Sequence, residues 1–202
     1  TVKFSWTGTV QANAAGITFP IQSKLDIAGS LGNLNVYPSL TVKNATAGTG
    51  TVATVGVTEV ASGSSANQIV FDYAPIGSMS GGQLSVTIPS GWTAPQVGTV
   101  GTAGYTTAAS TAGSVGTLTI DPDNAQIVII PITSLQAGQS IRVRYGSGGG
   151  SSGAVAQGIT GYANFAFNTK GITDDTSTQV VLKPIYVTNA TDGTGTVAVT
   201  PT

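Results

Sequence analysis

Apolar and polar residues alternate with period two along most of the chain, and this alternation predicts strands. Val52, Val55, Val57 and Val60 mark residues 50–60, Ile69, Phe71 and Tyr73 mark 67–74, and Leu84, Val86 and Ile88 mark 83–89. Further strands are predicted at 115–120, 126–132, 139–145, 160–168 and 178–188. Turn chemistry separates them: Ser62-Gly63-Ser64, Gly81-Gly82, Pro89-Ser90-Gly91, Pro122-Asp123-Asn124 and the Gly-rich stretch 146–153. The run IVIIPI at 127–132 is apolar on both faces, which predicts a central strand with Pro131 at its end. Seven to nine short strands at this spacing predict an all-β fold, an immunoglobulin-like or jelly-roll-type β-sandwich.

The first forty residues supply extra N-terminal strands. In TVKFSWTGTV, Val2, Phe4, Trp6 and Val10 fall on one face and Lys3, Ser5, Thr7 and Thr9 on the other. That pattern suits an edge strand of the chain's own sheet, or a strand donated to a neighbour. Residues 17–27 and 31–42 read as further strands.

An internal echo organises the rest. Residues 42–53 read VKNATAGTGTVA and residues 187–198 read VTNATDGTGTVA, with ten of twelve positions identical at an offset of 145. The expected division is an N-terminal extension (1–40), a sandwich unit (41–185), and a closing strand (186–202) that echoes 41–57. Either the closing strand opens the next unit of a tandem array, or it takes a place like that of residues 42–53, within its own domain or in a neighbouring copy by donor-strand complementation.

Composition narrows the function. Only 15 residues are charged, 40% are hydrophobic, and there are 28 Gly and 31 Thr. Spaced apolar runs at this frequency argue against disorder. With no Cys and no His, disulfides, thiolate nucleophiles and the commonest general base are absent. A net charge of −1 with scattered cations offers no footprint for nucleic acid. No apolar run reaches the roughly 18 residues that span a bilayer. The chain opens on Thr, which is expected of a processed form or a fragment. Low charge with abundant hydroxyls is the look of an extracellular, cell-surface protein.

Candidate chemistry is sparse. Asn44-Ala45-Thr46 and Asn189-Ala190-Thr191 fit the N-glycosylation pattern and also suit turns. Asp121, Asp123 and Asn124 gather hard oxygen donors for calcium in what is equally a good turn. Asp174-Asp175 is a second acidic pair and Asp72 a lone acid, while Asp26, Glu59 and Asp192 lie in no motif. Two Asp flanking one Pro would sit side by side, not across a sugar, so glycoside hydrolysis is not expected. Trp92, Tyr105, Tyr145 and Tyr162 are candidate sugar-stacking platforms, although Trp92 reads better as a cap on the core. The stretch GSGGGSSG lacks the Gly-Lys-Ser/Thr of a phosphate loop. No spacing selects the trio needed for an isopeptide crosslink.

The succession VKNATAGTGTVA, LSVTIPSGWTAP and LQAGQSIRVRYG resembles the large immunoglobulin-like modules repeated in tandem in prokaryotic surface proteins. Residues 86–92 and 137–141 carry the likeness, which covers about 41–188. It implies a cell-surface β-sandwich and transfers no catalytic residue. A looser similarity links the alternation at 1–10 and the strand at 186–199 to donor-strand filament subunits, such as archaeal threads and bundling pili. The expectation is therefore a non-enzymatic structural subunit of an extracellular filament or surface layer. Its partners would be copies of itself, bound through Val2, Phe4, Trp6 and Val10 or through Val187, Val197 and Val199. No cofactor is expected beyond the calcium candidate. The alternative is an adhesin or stalk repeat, or a carbohydrate-binding module, with glycans or other surface components as partners.

Overall fold

The period-two pattern becomes strand wherever one face has a core to cover. The structure is a computed structural model that describes residues 17–18, 21–23, 27–33, 39–40, 48–148, 153–172 and 176–190. Among these residues there are sixteen strands and no helix. Four short strands come first: β1 (Ile17–Thr18), β2 (Gln22–Ser23), β3 (Gly32–Asn33) and β4 (Ser39–Leu40). Then follow β5 (Thr51–Val55), β6 (Glu59–Ala61), β7 (Ile69–Ala74), β8 (Met79–Ser80), β9 (Gln83–Thr87) and β10 (Thr106–Ser110). The last are β11 (Ser114–Val115), β12 (Thr119–Ile120), β13 (Ile127–Leu135), β14 (Ile141–Tyr145), β15 (Gly161–Lys170) and β16 (Thr178–Thr188).

Strands β5 to β16 build two layers. One is a four-stranded antiparallel sheet in the order β10-β14-β7-β5. The other runs β11-β13-β9-β15-β16-β6, with β8 and β12 also pairing β13. In that layer β6 lies parallel to β16, and the other pairs are antiparallel. Inward residues of both sheets alternate into one core: Ile69, Phe71 and Tyr73 from β7, and Ala163, Phe165 and Phe167 from β15, are all buried. Phe71 meets Phe165 at 5.2 Å and Phe167 at 4.9 Å between ring centroids, so the two faces interlock. Burying each such side chain contributes roughly 1.5–3 kcal/mol relative to exposure. The all-β class expected from the alternation is the class observed.

Several elements differ from expectation for local reasons. The strand expected over 50–60 breaks into β5 and β6 at Gly56, which takes φ 82°. Pro131 lies inside β13, not at its end. On one side β13 leaves β9 at the pair Pro131↔Gln83 and takes up β8, and on the other it passes from β12 to β11. A residue without an N–H is tolerated at such a change of partners, and its carbonyl still accepts from Gly116 at 2.8 Å. The boundary expected at 185/186 falls inside β16, which runs unbroken to Thr188.

Candidate functional site

The segment Gly48-Thr49-Gly50 opens the sandwich and lies in the echoed sequence. Gly48 takes φ 69° and Gly50 φ 116°, a region that residues with a Cβ adopt at a cost. Space forbids side chains as well. A Cβ on Gly48 would overlap Thr178 Cγ2, and one on Gly50 would stand 2.6 Å from Tyr73 Cε2 and 2.8 Å from the Ala74 carbonyl oxygen. Two hydrogen bonds hold the segment: the Gly48 amide donates to Thr169 Oγ1 at 2.7 Å, and the Tyr73 hydroxyl donates to the Thr49 carbonyl at 3.1 Å. Burial pushes the Tyr73 hydroxyl up to about 12, a rise that its hydrogen bond with Thr169 opposes.

The other end of the unit is closed as firmly. Val187 is fully buried in the sandwich's own core, and β6 flanks it with the parallel pair Val187↔Val60. The Ser62 amide donates to the Thr188 carbonyl at 2.8 Å, and Thr188 Oγ1 donates to the Val60 carbonyl at 3.2 Å. Val187, expected among the assembly residues, is thus occupied within its own sheet. Val2, Phe4, Trp6, Val10, Val197 and Val199 lie outside the described residues, as does Asn44. Asn189 is exposed immediately after β16.

On the outward face of the hairpin β15–β16, Tyr162 and Tyr186 stand directly opposite in register. Their rings are 5.0 Å apart, and they are 70% and 41% exposed. The partly exposed Leu182 and the exposed Pro184 extend this apolar strip. Tyr162 was legible as a candidate platform, but Tyr186 was not, because only the register brings the two together. Tyr145, another candidate, is buried: its hydroxyl donates to the Thr93 carbonyl, and burial pushes its pKa up. Trp92 is buried too, 5.4 Å from Phe165 and 6.3 Å from Tyr145, in the capping position its sequence context suggests. Tyr105 is half-buried.

Among the described residues the acidic side chains do not converge. Asp121 Oδ1 accepts from the amides of Asp123 at 2.9 Å and Asn124 at 3.2 Å, and Asn124 Oδ1 accepts from the Gln126 amide at 3.0 Å. This is an Asx-type turn that ties β12 to β13. Asp72 is not a lone acid. It faces Arg142 across the pair β7–β14 and accepts from Nε at 2.8 Å and from Nη2 at 2.7 Å. That fork, helped by the charges of Arg142 and Arg144 and opposed by burial, holds the Asp72 carboxyl below the usual range. Among the described residues, no group of three or more His, Cys, Asp or Glu could hold a metal ion. Asp174 and Asp175 lie outside the described residues.

No protein-family model matches the chain, and no curated protein matches it. Among solved structures one match is described as "AvmM Catalyzes Macrocyclization in Alchivemycin A Biosynthesis". It is 10% identical with a TM-score of 0.37, covering 75% of this chain and 93% of that one. The expectation that this chain is not an enzyme is withdrawn: that match is described as a catalyst, and a lack of His and Cys does not exclude catalysis. A similarity of this size transfers no activity and no residue role.

Proposed function

We propose that the chain is a structural repeat of an extracellular filament, surface layer or stalk: a β-sandwich unit continued head to tail by further copies of itself. One observation carries this reading. The Gly-Thr-Gly that opens the unit is required at Gly48 and Gly50 by backbone conformation and by space. The same Gly-Thr-Gly returns at 193–195, as far beyond Val187 as Gly48 lies beyond Val42. The strand that closes one sandwich therefore runs straight into the sequence that opens the next. Repeated without closure, such a head-to-tail connection makes a fibre or a stalk. The immunoglobulin-like or jelly-roll assignment belongs to this reading, as does the extracellular location, which fits low charge and abundant hydroxyls. Because Val187 serves its own sheet, any strand offered to a neighbour would come from residues 1–10 or from beyond 190.

The pair Tyr162–Tyr186 supports a second role, a stalk module that holds a glycan by stacking on an exposed aromatic strip. Immunogold labelling of the source cells, with antibodies raised against this chain, tests the main reading. Gold along surface filaments, stalks or the outer layer is the expected result, and gold confined to the cell interior overturns it.

A further inference from the structure

The echo at 187–198 begins where β16 ends, so its counterpart at 42–53 should itself be preceded by a counterpart of the hairpin β15–β16. Residues 17–24 read ITFPIQSK, and β15 ends ANFAFNTK at 163–170. Phe19 and Lys24 are identical to Phe165 and Lys170, and at the other six positions apolar answers apolar and polar answers polar. On the second strand, Leu40 and Val42 answer Ile185 and Val187 at the offset of the echo.

The backbone supplies an independent observation. If the hairpins correspond, Ile17 must face Leu40 as Ala163 faces Ile185, and Thr18 must face Ser39 as Asn164 faces Pro184. Both pairs occur. At the far end, Gln22↔Asn33 and Ser23↔Gly32 answer Asn168↔Gln179 and Thr169↔Thr178. Both hairpins also gain length on the second strand between the same two positions, by one residue in the complete copy (Asn164 to Asn168 against Pro184 to Gln179) and by two in the first (Thr18 to Gln22 against Ser39 to Asn33), so the first carries one residue more there.

The correspondence continues upstream. Val2-Lys3-Phe4-Ser5-Trp6 repeats the apolar, basic, apolar, polar, aromatic order of Ile141-Arg142-Val143-Arg144-Tyr145. Trp6 precedes Ile17 by 11 positions and Tyr145 precedes Ala163 by 18, so the first connection lacks about the length of the Gly/Ser run at 146–153.

We infer that residues 1–43 are the last three strands of a preceding copy of the unit, the counterparts of β14, β15 and β16. The partner of this segment follows from the complete copy. There β15 pairs β9 along its other edge, from Ala166↔Thr87 to Lys170↔Gln83, and β16 pairs β6. Among the described residues β1 and β2 pair with β4 and β3 and with no other strand. The edge of β2 that no described strand pairs is therefore the docking edge for the preceding copy's β9. The alternation at 1–10 is accounted for as a β14, not as a strand offered to another molecule. This inference rests on the tandem reading above but not on where the array is displayed.

The coding sequence upstream of Thr1 tests it directly. An open frame that encodes, within about 20 codons, an apolar strand resembling IVIIPITSL and, further upstream, a counterpart of QLSVTIPSGW is the expected result. An initiation codon preceded by no such segment overturns it. A graft provides a second measurement on the full chain: residues 163–170 are replaced by ITFAIQSK, or by the same segment advanced one residue, TFAIQSKL. Ala stands in place of Pro20 because β15 is paired on both edges at Ala166, where Pro would remove an N–H. A one-residue slip turns every side chain to the opposite face, so the in-register graft should keep a cooperative urea transition that the slipped graft loses. Equal behaviour of the two grafts overturns the correspondence. Upstream copies found beside purely internal gold labelling would uphold the inference while removing the surface function.

Discussion

The amide of Gly48 donates to the hydroxyl of Thr169 at 2.7 Å, which fastens the opening of the sandwich to the inner face of β15. Thr169 is fully buried, so its hydroxyl has no route to bulk solvent. Thr169→Val keeps the shape and removes the acceptor, leaving a partly buried N–H unpaired at a cost of about 1–3 kcal/mol. Thr169→Ser keeps the acceptor and should lose less. Gly50→Ala combines φ 116° with a Cβ driven toward the Ala74 carbonyl, and its loss should exceed about 1 kcal/mol. Urea midpoints of the three variants check this, and a Gly50→Ala chain as stable as the parent would refute the requirement for glycine in the opening motif.

The behaviour of Tyr73 sets the response to base. Its folded-state pKa is raised from 10.0 to about 12, so the folded chain holds this proton more tightly than the unfolded chain does. The associated stability is complete below pH 10 and is lost progressively as pH rises toward 12. Tyr145 is raised as well and adds to the same slope. Thermal unfolding followed from pH 8 upward should show a falling midpoint above about pH 10. Tyr73→Phe should flatten the fall while lowering the plateau, because the hydrogen bond from the Tyr73 hydroxyl to the Thr49 carbonyl is lost. An unchanged slope in that variant would show that Tyr73 does not carry the effect.

Much of this architecture could be read from period-two alternation, and the failures have definite causes. β7, β9 and β15 announce themselves because one face of each is apolar and buried. β10, with the sequence TTAAS, does not: it lies at the edge of its sheet, and its most buried residue is a Thr. Gly56 breaks a run of valines that would otherwise continue, and nothing in the run marks which Gly will turn. Pro131 reads as a terminator because the change of partners that accommodates it depends on four other strands. The pairs Asp72–Arg142 and Tyr162–Tyr186 depend on register between distant segments, which composition does not encode.

Asp72 and Arg142 bear on acid stability. The lowered Asp72 pKa means that its contribution is present above 3.8, the ordinary carboxylate value, and is lost as pH falls through the folded value. The side chains are 41% exposed for Arg142 and 25% for Asp72, so solvent and salt screen the pair. Asp72→Asn should therefore cost little at neutral pH, less than Thr169→Val or Gly50→Ala, and the cost should shrink in 1 M salt. Acid titration of the urea midpoint should separate parent from variant only above the folded pKa of Asp72. Separation that persists unchanged in high salt would mean that the fork acts through packing of the Arg142 stem, not through charge.

Tyr162 and Tyr186 form the largest described aromatic pair that stays in contact with solvent, and their geometry separates stability from binding. A cross-strand aromatic pair contributes roughly 0.2–1 kcal/mol, whereas a sugar contact would draw on the exposed surface of the Tyr162 ring. The two rings are tilted at 57° to each other, and Tyr162 remains 70% exposed. Tyr162→Ala should consequently fold normally, with a midpoint change no larger than that of one such pair. Glycan-array binding of the parent that disappears in this variant would identify the strip as a carbohydrate platform. Binding retained by Tyr162→Ala, or absent from the parent, removes the glycan reading and leaves the strip as a surface covered by a neighbouring copy, which crosslinking at Tyr162 in assembled material would then detect.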